Sequence, residues 1–126
     1  MVFGTFDLLH PGHLFVIEQA LERGDVTVVV ARAENVARIK GKPPVESDDV
    51  RVAAVRIAFP AASVILGHPT DFLSPVRTIK PDVILLGYDQ RLPPGITQED
   101  LKVAKIERLK AHEPHLFKSS LKRPRD

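Results

Sequence analysis

Cysteine is absent from all 126 residues. That excludes disulfides, thiolate catalysis and any cysteine-rich zinc site. No apolar run approaches the ~18 residues of a membrane-spanning helix, so no membrane partner is expected. A large excess of one charge is also missing: 18 lysines and arginines face 16 aspartates and glutamates. Such a balance does not by itself make a nucleic-acid-binding protein, and no RNA-binding aromatic motif or helix-turn-helix pattern is readable. There is no internal repeat and no low-complexity tract. No His/Asp/Glu cluster has dedicated metal spacing. His68, His112 and His115 are scattered, and no metal ligand is assigned. Met1 opens directly onto an apolar strand, so no signal peptide is expected. A cytoplasmic location is expected.

What remains is a chain of ordinary composition, 44% hydrophobic, near the usual size of one domain. Residues 1–126 are expected to form that single domain. Its C-terminal segment, 118–126, is basic, with Lys118, Lys122, Arg123 and Arg125 crowded together.

Apolar runs alternate with helical patterns. Val2-Phe3 begins the series. Val26 to Ala31 is a continuous, mostly β-branched run, as expected of a strand buried on both faces. Ser63 to Leu66 and Val83 to Leu86 are similar, and each ends at a glycine, Gly67 and Gly87. Leu14, Ile17 and Leu21 recur at helical spacing between Pro11 and Arg23, and Gly24 stops that helix. Ser47-Asp48-Asp49 suits the start of a second helix, with Val52, Val55 and Phe59 as its buried stripe. A short third helix is expected over Asp71 to Ile79, with Pro75 in its first turn or at a kink. A fourth is expected from Thr97 to about Ala111, opened by a loose Thr97/Asp100 capping box. The last strand is expected at about His115 to Phe117. This alternation calls for a parallel sheet covered by helices on both faces, with right-handed crossovers.

In such open sheets ligands bind beyond the carboxyl ends of the strands. Three segments fall there: Gly4 to His13, Arg32 to Lys42, and Gly87 to Arg91. The first is the most informative. Strand, glycine turn and helix follow at once, with His10 and His13 straddling Pro11-Gly12. Pro11 fits the first helical position. Gly12 has no side chain, so an anion can approach the backbone. The helix mouth favours negative charge there. Two imidazoles donating from one side suit oxygens on which charge develops during phosphoryl transfer. A single histidine is more often a surface or capping residue, but the pair in this setting points to phosphate chemistry. Phe6 reads equally as core. Asp7 caps the turn or binds a ligand amine or metal, and the sequence leaves the choice open.

Residues 4–13, Gly-Thr-Phe-Asp-Leu-Leu-His-Pro-Gly-His, resemble the G-T-F-D-x-x-H-x-G-H signature of the cytidylyltransferase-like nucleotidyltransferases. With VVVARAENVARIKGKPP, IKPDVILLGYDQ and FKSSLK, the chain from Met1 to about Lys122 is similar to the archaeal-type FAD synthetases, which are FMN adenylyltransferases. The resemblance implies an α/β, Rossmann-like, doubly wound sheet. It implies adenylyl transfer from ATP to FMN, with a divalent ion, magnesium, riding on the triphosphate, and a homodimer. His10 and His13 would contact the triphosphate and stabilise the transition state, joined by Lys40 as a catalytic residue. Thr5, Phe6, Pro11, Gly12, Asp89, Ser119 and Ser120 would line the nucleotide. Asp7, Lys42 and Arg51 would bind phosphate or acceptor.

Each position has a duller alternative. Lys40 and Lys42 could be solvated loop lysines. Arg51 could pair with Asp48 along a helix face, an arrangement worth only ~0.2–1 kcal/mol when exposed. Asp89 could be a turn residue, and Ser119-Ser120 a helix cap. A cytidylyltransferase acting on glycerol 3-phosphate is the alternative enzyme, and a non-catalytic nucleotide-binding module the alternative class. Ala111 to Phe117 has no arginine before the hydroxyl pair, where cytidylyltransferase relatives carry one; this lowers the glycerol-phosphate reading.

Overall fold

The alternating runs fold as the winding of a parallel sheet requires. The computed structural model describes residues 1–88 and 90–109. The elements are β1 (Val2–Gly4), α1 (Pro11–Leu21), β2 (Thr27–Val30), α2 (Ala33–Lys40), α3 (Asp48–Ala58), β3 (Ser63–Leu66), α4 (Ser74–Ile79), β4 (Val83–Leu86), a 3₁₀ turn (Gln98–Leu101) and β5 (Lys105–Arg108). The five strands lie in the order β3-β2-β1-β4-β5, and every pairing is parallel. This is a Rossmann-like, doubly wound sheet.

Two cores follow from the two-residue period of a strand. Val28 and Val30 of β2 point to one face, where they meet Val2, Leu85, Ile17 of α1 and Val52 and Val55 of α3. Val29 points to the other, with Phe3, Ile84, Leu86, Val76 of α4 and Leu101. A continuous β-branched run is thus shared between two layers. Each fully buried Val, Ile or Leu contributes about 1.5–3 kcal/mol.

Local signals set the helix starts. His10 caps α1 and Pro11 takes its first position. Ser47 Oγ accepts from Val50 N–H at 3.2 Å, with Asp48 and Asp49 in the first turn of α3. Pro75 sits in the first turn of α4, which begins at Ser74 rather than Asp71.

Two expectations are corrected. Arg32 to Lys42 is not a plain loop. It contains α2, closed by Gly41 at φ +91°, a left-handed cap that glycine adopts without a Cβ clash. The helix expected from Thr97 to Ala111 does not form over the described residues, 97–109. The Thr97/Asp100 capping box forms, with Thr97 N–H on Asp100 Oδ2 at 2.9 Å, but it opens only a 3₁₀ turn. Residues 105–108 instead pair with β4, from Val83 opposite Lys105 to Leu86 opposite Arg108. The otherwise bare edge of β4 is satisfied by this ladder, and Ile106 packs on the second core. Tertiary pairing overrides a local helix signal. The strand expected at His115 to Phe117 lies outside the described residues, as does the basic segment 118–126. No helix among the described residues is long and apolar enough to cross a membrane.

Candidate active site

The winding direction reverses between β1 and β4. β1 feeds α1 and β2 on one side, while the crossover from β3 through α4 brings β4 to the other. Such a switch point opens a crevice at the carboxyl ends of the strands. The turn from Thr5 to His10 and the mouth of α1 line it.

That turn has an unusual shape. Phe6 and Leu8 both have positive φ, +53° and +50°, a conformation disfavoured for residues with a Cβ. Phe6 is buried at 3% exposure and lies on Gly4, where a Cβ would come 2.8 Å from its ring. Gly4 is therefore required by packing. Phe6 in turn supports His13 edge-to-face, with centroids 5.5 Å apart.

Side chains from far along the chain hold the turn. Asp7 accepts from the N–H groups of Val45 and Glu46 at 2.8 and 2.9 Å. Glu46 Oε1 accepts from Leu8 N–H at 2.8 Å, so the latch is reciprocal. Burial alone would raise the Asp7 pKa. The two N–H donors, with the nearby charges of Arg51 and His13, outweigh it and hold the carboxyl below its usual range. Arg51 is fully buried. It donates to Glu46 O and Thr5 O, both at 3.0 Å, to Ala31 O, and to Asp48 Oδ1. Asp48 Oδ1 also accepts from Ala33 N–H, the first residue of α2. Arg51 thus gathers the ends of β1 and β2 and the approach to α3.

On this platform the two imidazoles of His10 and His13 stack with centroids 3.7 Å apart. His10 Nδ1 accepts from Gly12 N–H at 3.1 Å. A Cβ on Gly12 would lie 3.0 Å from His10 Cε1, so glycine here admits the ring. With Nδ1 an acceptor, neutral His10 carries its proton on Nε2. His13 Nδ1 is buried without a partner. An orphaned N–H is the worse liability, so Nε2–H is again the favoured tautomer. Burial first, then the charges of His10 and Lys40, lower the His13 pKa from 6.5 to about 4, against a raising influence from Asp7. His13 is therefore a neutral donor at pH 7. The arrangement offers two N–H donors side by side at a helix mouth, which is suited to binding phosphate oxygens.

Three comparisons with known proteins bear on this geometry. The cytidylyltransferase-like family model matches residues 1–121. The chain belongs to the cytidylyltransferase-like family. Among its relatives, an FAD synthase from Natronomonas pharaonis is 46% identical over 110 residues, covering 81% of this chain and 77% of the relative. An FAD synthase from Aciduliprofundum boonei is 38% identical over 117 residues, covering 89% and 78%. The crystal structure of the lipopolysaccharide core biosynthesis protein from Thermoplasma volcanium GSS1 is similar at TM-score 0.78 and 33% identity, over 90% of this chain and 96% of that one.

In this family member the residues singled out in the sequence divide into groups. His10, Pro11, Gly12 and His13 meet at the crevice. Lys40 ends α2, exposed, and its charge reaches His13. Lys42 is exposed just beyond the Gly41 cap. Thr5 gives its carbonyl to Arg51. Three residues expected at the ligand have partners within the fold. Phe6 is core, both oxygens of Asp7 are taken by backbone N–H groups, and the guanidinium of Arg51 is buried on carbonyls and Asp48. The physical reason is the same for the two charged ones: a charge that leaves water must find partners inside the protein, and these have. Asp89, Ser119 and Ser120 lie outside the described residues. Sequence reasoning missed Glu46, because its pairing with the turn spans 38 and 39 residues and leaves no mark in the sequence. It also missed Gln90 and Arg108, which organise the loop after β4.

Proposed function

We propose that this chain transfers AMP from ATP to FMN, giving FAD and pyrophosphate. The observation that supports it is the stacked His10/His13 pair at the mouth of α1, in a chain whose relatives bear the name FAD synthase. The FMN phosphate oxygen attacks the α-phosphorus in line. A new P–O bond forms, the α–β P–O bond breaks, and pyrophosphate leaves. His10 and His13 donate from Nε2–H to the oxygens that gain charge, and Lys40 adds a positive charge beside them. The protein's work is to place two polyanions together and offset their repulsion. ATP enters as its magnesium complex. Both Asp7 oxygens are engaged by the Val45 and Glu46 N–H groups, so that carboxylate would not be a ligand of the ion. Thr5, Pro11 and Gly12 lie along the nucleotide, and the resemblance assigns contacts with it to Asp89, Ser119 and Ser120, which lie outside the described residues. Lys42 meets phosphate from the acceptor side. Residues 1–126 act as one cytoplasmic domain, working as a homodimer.

Pyrophosphate release measured with ATP or CTP, each with FMN or glycerol 3-phosphate, tests the reading. Release with ATP and FMN is expected. Release only with CTP and glycerol 3-phosphate would overturn it in favour of a cytidylyltransferase, and nucleotide binding without turnover for any acceptor in favour of a binding module.

A further inference from the structure

β1 and β4 are neighbours at the switch point, yet their ladder ends one rung early. Leu85 N–H donates to Met1 O at 3.1 Å. In a parallel ladder of that register, the next β4 donor, Gly87 N–H, belongs on Phe3 O. It goes elsewhere. Gly87 N–H donates to Gln90 Oε1 at 3.0 Å, and Gln90 Nε2 donates to Phe3 O at 2.8 Å. One side-chain carboxamide stands between two backbone groups that would otherwise meet. It satisfies both and holds β1 and β4 apart by the width of an amide, at the end where the crevice opens.

The loop behind this wedge is equally tied. Gln90 N–H donates to Gly87 O at 3.1 Å. Arg108 Nη1 donates to Gly87 O at 2.8 Å and Gln90 O at 2.7 Å. The wedge also adjoins α1, since a Cβ on Gly87 would lie 3.7 Å from Val16, about one turn beyond His13. The histidine pair and the wedge therefore border the same opening.

We propose that Gln90 is a positioning residue for the nucleotide: its carboxamide sets the gap between β1 and β4 and fixes the loop backbone against which the nucleoside lies. This rests on the nucleotidyltransferase reading. The position demands a donor and an acceptor on one planar group of this reach. Glutamate at neutral pH offers only acceptors and would set a carboxylate against Phe3 O. Methionine keeps the length and loses both polar atoms.

The test uses the full chain with Gln90→Met and Gln90→Glu. Calorimetric titration with magnesium-ATP and with magnesium-CTP is run separately from turnover, and each variant's urea midpoint is recorded. Nucleotide affinity should weaken about tenfold in both variants, the scale of two lost hydrogen bonds. KM for ATP should rise in parallel, while kcat and KM for FMN change less than about threefold. A loss of stability with nucleotide affinity unchanged would make Gln90 merely structural and overturn the proposal. If one variant fails to fold, the other decides. Wild-type protein that binds neither ATP nor CTP would instead overturn the nucleotidyltransferase reading itself, and the proposal with it.

Discussion

Two arginines gather loose carbonyls at the carboxyl ends of strands, and they do so in opposite surroundings. Arg51 is fully buried and ties the turns after β1 and β2 to each other, to Glu46 and to Asp48. Arg108 is exposed, at the end of an edge strand, and ties only the loop after β4. One rim of the crevice is thus built into the core, and the other is held at the surface by Arg108 and the Gln90 carboxamide. The core-held rim carries His10 and His13. Groups that must meet developing charge benefit from a fixed frame; the opposite rim is tied as well, but by an exposed guanidinium and one carboxamide.

The sharpest way to break this contrast is to remove each guanidinium. Arg51→Met strands several buried carbonyls and one carboxylate partner, and should destabilise the fold by about 3–5 kcal/mol. Arg108→Met should cost under about 1 kcal/mol. Urea midpoints at constant m value read both. Equal losses would mean that the two rims do not differ.

Next come the histidines. His10→Ala and His13→Ala should each lower kcat at least tenfold, and up to about 10²–10³-fold, on the scale of lost oxyanion donors, beyond the ~0.5–2 kcal/mol of stability that losing the His10 cap costs. Near-normal turnover in both variants would remove the catalytic role from the core-held rim.

The smallest effect is in the pH dependence of stability. The His13 pKa is lowered from 6.5 to about 4 in the fold. Between those values the unfolded chain takes up a proton that the folded chain refuses. The stability linked to His13 is therefore complete above pH 6.5 and drains away as pH falls towards 4. A His13→Asn variant should show a flatter melting temperature across that window than the wild type. Parallel curves would mean that the ring titrates normally.

The strands at the centre of the sheet were legible because their chemistry is local. Val26 to Ala31 and Val83 to Leu86 are apolar on both faces, and only a strand covered on both sides suits them. The histidine pair was legible for a similar reason, since Pro11 and Gly12 fix its spacing and setting. β5 was not, because Lys105-Ile106-Glu107-Arg108 has little strand character and pairs only because β4 lies beside it. Nor was α2, whose Gly41 cap was overlooked in a segment read for its lysines. Asp7 and Arg51 show a different limit. Their residue types suit a polyanion site and a scaffold equally, and only burial and partners decide. Gln90 had no signal at all, since a carboxamide replacing one ladder rung cannot be inferred from its neighbours in sequence.

The latch between Asp7, Leu8, Val45 and Glu46 bears on the order of folding. Phe6 and Leu8 sit in left-handed geometry that a free chain rarely visits. The groups that compensate for it arrive from a segment 38 and 39 residues away. The turn cannot mature on its own as a local hairpin does, because closing so long a loop must come first. The finished mouth of α1 therefore depends on a contact that spans about a third of the chain, and closing that loop is a precondition of the turn. A chain in which residues 45 and 46 had not yet reached Asp7 would carry the sequence of the turn without its geometry.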